Sequence, residues 1–120
     1  APKDLRALLD RLLKRVPAKR VFLHFHDTYG MAVANALTAW EEYGLSGFDA
    51  STGGLGGCPY APGASGNVAT EDLVYALEAS GAKTGVDIAR LREAFAALSP
   101  HLGRGPASRL GRIPPQGAVS

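Results

Sequence analysis

The sequence predicts an α/β fold made of parallel β/α units, and a piece of such a fold rather than a closed one. Three observations predict it. Helical and strand periods alternate along the chain. Only two short strands can be placed, too few for a stable parallel sheet, which needs covered faces and neighbours at both edges. The chain has 120 residues, whereas a complete (β/α) barrel takes about 250.

The elements follow in order. Residues 2–16 form an amphipathic helix, because Leu5, Leu8, Leu9, Leu12, Leu13 and Val16 recur at three- and four-residue intervals between charges. Pro17 stops it. Residues 21–26 form a strand with two alternating faces. Residues 30–43 return to helical spacing, with Met31, Ala34, Leu37 and Trp40 inward and Gly44 as the C-cap. Residues 48–51 form a second strand. A long loop covers residues 52–69. Thr70 is expected to cap the next helix, with Glu71 and Asp72 complementing its positive end. That helix ends at Gly81. Asp87 opens a last one through Leu98. Residues 99–120 show no period and read as a flexible tail behind a single domain of residues 1–98.

Composition excludes several classes. The net charge is +2 and the hydrophobic fraction 46%, ordinary for a globular protein. Basic residues are not interleaved with aromatics, so nucleic acid is not an expected partner. No apolar run approaches the roughly 20 residues of a membrane span, and the first residues lack a signal-peptide core. A single cysteine makes a reducing, cytoplasmic location the expectation.

Two segments carry chemistry. His24 and His26 are two apart on a strand, so their side chains share one face with Phe22. They lie at the strand's C-terminal end, where parallel β/α folds place active sites. Paired imidazoles can hold one side of a cation's coordination sphere; they can equally be hydrogen-bonded to loop carbonyls. Asp27 can be a ligand, an orienter of a histidine or the N-cap of the following helix, and the cap is the favoured role. His101 is expected in the solvated tail.

The second segment is GLGGCPYAPGASGN, residues 54–67. Gly54, Gly56 and Gly57 admit backbone shapes that let a substrate approach the main chain, while Pro59 and Pro62 restrict it. Neither a Lys-Ser/Thr ending nor a G-x-G-x-x-G at a helix start is present, which argues against nucleotide binding. Cys58 is either a buried small hydrophobe or a general acid or base on a lid. The Asn67 amide oxygen suits a hard cation and its position suits a turn.

Together the segments LHFHDTYGMAVANAL, residues 23–37, and GLGGCPYAPGASGNVATEDLVY, residues 54–75, resemble those of the 3-hydroxy-3-methylglutaryl-CoA lyases. The resemblance covers residues 1–98 and is strongest over 21–75. It implies the C-terminal part of a (β/α)8 TIM barrel, with residues 21–26 as the seventh strand and 48–51 as the eighth. It implies a divalent cation, magnesium or manganese, and an acyl-CoA substrate cleaved to acetyl-CoA and acetoacetate. It further implies metal-bound His24, His26 and Asn67, and Cys58 as the catalytic thiol. The family's Arg-Asp element of the first strand is absent from these residues. The implied object is therefore the C-terminal third of the enzyme, inactive alone. A lyase for another 3-hydroxyacyl-CoA is the alternative. Exposed barrel edges favour self-association, so a homo-oligomer is an expected state.

Overall fold

A computed structural model of the chain describes residues 1–57 and 66–114; Cys58, Pro59 and Pro62 lie outside them. Helix α1 is Pro2–Leu12. Pro2 stands in the first turn, where its missing N–H is no loss, and Leu5 and Leu9 face inward. The helix ends four residues earlier than its apolar period, because residues 13–16 close as a turn before Pro17, with Val16 N donating to Leu12 O at 3.0 Å.

Strand β1, Phe22–Leu23, pairs in parallel with β2, Gly47–Phe48, in the register Phe22 to Gly47 and Leu23 to Phe48. Both strands are shorter than their sequence pattern. The reason is a third segment. Residues 66–70 return from the glycine-rich segment and take the hydrogen bonds that would extend the ladder. Val68 N donates to Phe25 O, Asp27 N to Gly66 O, Ser51 N to Val68 O and Thr70 N to Ser51 O. Two isolated bridges, His26 to Asn67 and Ser51 to Ala69, record the same insertion.

Helix α2, Ala32–Tyr43, ends at Gly44 in the left-handed region, φ 67°, as a helix C-terminus favours. Helix α3 is Thr70–Ala79. Thr70 is its first residue and not its cap; Ala69 occupies that position without a side-chain bond. Helix α4, Ile88–Leu102, opens on Asp87, whose carboxylate accepts from Arg90 N at 3.2 Å.

The stretch after residue 98, expected as a tail, carries secondary structure over part of its described residues. Helix α4 runs two residues past Pro100 to Leu102, and Gly103 closes it at φ 65°. Proline's fixed φ fits the helix even though its ring nitrogen cannot donate. A short helix α5, Arg109–Arg112, follows, and Ser108 before it is fully buried.

The core has two parts. Leu5, Leu9, Val21, Ala39 and Leu45 form one, between α1, α2 and β1. Ala32, Ala36, Val68, Leu73 and Leu77 form the other, between α2 and α3. Phe25 and Phe48 pack against both. Phe22 is 77% exposed on the open side of the two-stranded sheet. No helix among the described residues is long and apolar enough to cross a membrane.

Candidate functional site

His24 and His26 follow β1 at its C-terminal end, on one side of the backbone as a two-residue spacing requires. Their ring centroids are 5.0 Å apart and the rings meet edge to face at 68°. His24 Nδ1 lies 2.6 Å from Asp49 Oδ1. Asp49 sits one residue past β2, held there because its N–H donates to Leu23 O. An ionised carboxylate accepts, so Nδ1 donates in this bond and Nε2 is the ring nitrogen left for another partner. The pair is half exposed, with His24 at 53% and Asp49 at 68%, so its role is to orient the ring rather than to stabilise the fold.

Asn67 reaches this edge through its bridge to His26. Its Nδ2 donates to Leu55 O at 3.1 Å. That bond uses the amide's donor end and fixes which end is nitrogen. The acceptor oxygen is the end left for a cation. Gly56 lies beside the same amide, and a Cβ there would come within 2.7 Å of Nδ2. The absence of a side chain at Gly56 is thus a spatial requirement of the Asn67 orientation. Gly57 has open space around it and Gly54 is buried.

Asp27 is not the N-cap of α2, a position that Met31 holds without a side-chain bond; its Oδ1 instead reaches the helix start from four residues before the cap and accepts from Ala32 N at 3.0 Å. Its Oδ2 faces Arg109 Nη1 at 4.0 Å. His101 lies on the exposed last turn of α4, away from these groups.

Two residues escape sequence reading. Asp49 has no motif around it; its role comes from the register of β2 on β1. Glu71 reads as a residue suited to the positive end of a helix, yet it is 1% exposed. Both its oxygens accept from Gly53 N, at 2.8 and 3.0 Å, and Oε1 also accepts from Thr52 Oγ1 at 3.0 Å. It thereby fixes the 3-10 turn Thr52–Gly54 at the start of the glycine-rich segment. The hydrogen-bonded carboxylate meets the requirement that a buried charge be fully partnered.

The donor types, two imidazoles and an amide oxygen, suit a divalent cation: the two rings lie side by side, one is hydrogen-bonded to a carboxylate, and the Asn67 amide nitrogen is already engaged. The set is partial: among the described residues no group of three or more His, Cys, Asp and Glu side chains could hold a metal.

Fold and edge together define a parallel β/α unit with His24, His26 and Asn67 near its strand ends. Residues 1–97 match the HMGL-like family, and the chain belongs to that family. The hydroxymethylglutaryl-CoA lyase of Bacillus subtilis is 50% identical over 103 residues, which are 86% of this chain and 34% of that protein. A crystal structure of the Bacillus subtilis HMG-CoA lyase superposes with a TM-score of 0.88 at 48% identity, covering 92% of this chain and 37% of that one. The structure of an HMG-CoA lyase from Acinetobacter baumannii, in complex with coenzyme A and 3-methylmalate, superposes with a TM-score of 0.87 at 38% identity. It covers all of this chain and 39% of that one. The chain thus spans about a third of the length of the curated Bacillus relative.

Proposed function

We propose that these residues are the C-terminal third of a hydroxymethylglutaryl-CoA lyase, forming the last two strands of its TIM barrel and one side of its metal site. The observation that supports this reading best is the placement of His24 and His26 side by side after β1, with Asn67 bridged to His26 and His24 oriented by Asp49. It occurs in a chain half identical to such lyases over 103 residues. The substrate is a 3-hydroxyacyl-CoA, in keeping with the coenzyme A held by the Acinetobacter relative. A single cysteine keeps the cytoplasm as the proposed location.

In a retro-Claisen cleavage the tertiary hydroxyl loses its proton while the adjacent carbon–carbon bond breaks. The electron pair of that bond leaves on the thioester fragment as an enolate, which must then be protonated. A divalent cation supplies a lowered hydroxyl pKa and a fixed place for the substrate oxygens. His24 and His26 would hold it through nitrogen, and Asn67 through its amide oxygen. Imidazole donors make manganese at least as suitable as magnesium. Asp49 would hold the Nδ1–H of His24, leaving Nε2 as the coordinating nitrogen and making it a better donor. Cys58, outside the described residues, is the proposed proton donor to the enolate. Gly54, Gly56 and Gly57 are the proposed substrate-facing positions of its segment.

Titration of the 120-residue chain with Mn2+ tests the ligand assignment. Binding should be weak and should vanish in His24→Ala and His26→Ala; tight binding that survives both substitutions refutes it. The chain alone should release no acetoacetate from 3-hydroxy-3-methylglutaryl-CoA. Release by the pure chain, lost on Cys58→Ala, would show that the site is complete without further strands.

A further inference from the structure

Residues 106–112 carry no motif and fall in the stretch that sequence reading leaves as a tail. In the structure they cross the start of the glycine-rich segment and are bonded there at several points. Ala107 N donates to Gly53 O at 2.9 Å, and the Ala107 methyl closes over Gly54, 3.2 Å from where a Cβ would stand. Ser108 is 1% exposed and its hydroxyl accepts from Gly111 N at 3.0 Å. The Asp72 carboxylate accepts from Arg109 N and Leu110 N, one bond per oxygen, both at 2.9 Å. Arg112 Nε donates to Pro106 O at 3.2 Å, which holds the short turn closed on itself.

Two lines of contact lead from this strap to the proposed cation donors. One passes through Gly53 O to the Thr52–Gly54 turn, then to Leu55, whose carbonyl accepts from Asn67 Nδ2. The other passes through Arg109 to Asp27, the residue after His26, at 4.0 Å. Glu71 and Asp72 are neighbours on α3 and divide the work. Glu71 holds the turn from beneath, through Gly53 N. Asp72 holds the strap that grips Gly53 O from above. Gly53 is thus held through both its N–H and its carbonyl.

We propose that residues 106–112 are a positioning strap for the Asn67 amide, and that Asp72 is the positioning residue that anchors it. The physical reason lies in the amide itself. Asn67 presents oxygen to the strand ends only while its nitrogen stays on Leu55 O. A half-turn about the terminal bond of the side chain would exchange the two ends. Leu55 O stays in place only while the Thr52–Gly54 turn does. The significance for chemistry rests on the proposed metal site, but the coupling from Asp72 to Asn67 does not, and it is tested without metal.

The test uses the 120-residue chain and nuclear magnetic resonance. The Asn67 side-chain amide signals are assigned by their loss in Asn67→Asp. In Asp72→Ala the backbone amides of Arg109 and Leu110 should exchange with solvent about tenfold faster, since each loses a bond to a charged acceptor. The Asn67 side-chain amide should also exchange about tenfold faster and move toward the shift of a free amide. Faster exchange at Arg109 and Leu110 with an unchanged Asn67 amide overturns the proposal, because the strap is then only a local cap. If Asp72→Ala unfolds the chain, Asp72→Asn, which keeps one acceptor oxygen, replaces it under the same criteria. Mn2+ titration of Asp72→Ala adds a separate arm. A freed Asn67 amide with unchanged metal affinity leaves the strap standing and removes Asn67 from the metal site.

Discussion

Gly53 and Gly44 invite a paired experiment. Both have left-handed backbones, with φ 62° and 67°, so alanine is disfavoured at each by about 1–2 kcal/mol. Reduced freedom of the unfolded chain returns about 0.4–1 kcal/mol of that. The surroundings differ. Among the described residues nothing lies within 4 Å of a Cβ built at Gly44, whereas one at Gly53 would overlap the ring of Phe95, which is buried. Phe95 sits on α4 and cannot swing into solvent without leaving the apolar space beside Glu71, so overpacking adds about 1–3 kcal/mol. Gly44→Ala should therefore destabilise by about 1 kcal/mol and Gly53→Ala by about 2–4 kcal/mol. For a chain of this size that is a fall in Tm of about 5 °C against about 10–20 °C. Urea unfolding followed by circular dichroism measures both. Equal losses at the two positions would refute the reasoning, since they would mean that the backbone conformation alone sets the effect. Restoration of Gly53→Ala by Phe95→Leu would support it, because the smaller side chain gives the methyl room.

Glu71→Ala should lower stability by about 3 kcal/mol in the same urea assay, because it leaves Gly53 N–H and the Thr52 hydroxyl without the charged acceptor; a loss below about 0.5 kcal/mol would show that water replaces the carboxylate freely. Asp49→Ala should weaken Mn2+ binding about tenfold in an electron paramagnetic resonance titration, with little change in Tm because both partners are exposed. An unchanged affinity would remove Asp49 from the site. The pH dependence of stability carries a further sign. Hydrogen bonds from Arg6 hold the Glu42 carboxyl below its usual range, and Glu42 in turn raises the Arg6 guanidinium. The contribution of Glu42 is therefore present above the unfolded carboxylate pKa and is lost as pH falls through the lower folded value. The Tm gap between the wild type and Glu42→Gln should be open at neutral pH and close in acid; a gap independent of pH contradicts this.

Where local chemistry decides, the sequence is readable. Gly44 closes α2, Asp87 opens α4, and His24 and His26 share a face, each because of a rule that acts within a few residues. Strand length is not readable in this way. The apolar pattern over residues 21–26 is correct as a description of alternation, but residues 66–70 take the bonds at its far end. That competitor lies forty residues away in the chain. Asp49 is missed for the same reason, since its pairing with His24 depends on the register of β2. Thr70 has the side chain of a cap, yet Ser51 O already holds its N–H and the helix begins one residue earlier than a Thr cap would set it. The stretch after residue 98 looks aperiodic because its order comes from Asp72, Gly53 and a buried serine rather than from an apolar stripe. Composition cannot distinguish a docked strap from a free one.

Among the described residues the two cores meet along α2, and Phe25 and Phe48 pack against both. Ala39 belongs to one core, and Ala32 and Ala36 to the other, so a single helix is a wall of both rooms. A cut at either end of the chain would strip one outer layer and leave the remaining core enclosed; loss of α2 would open both at once. Stability along this chain is therefore arranged in series, with one shared member in the middle.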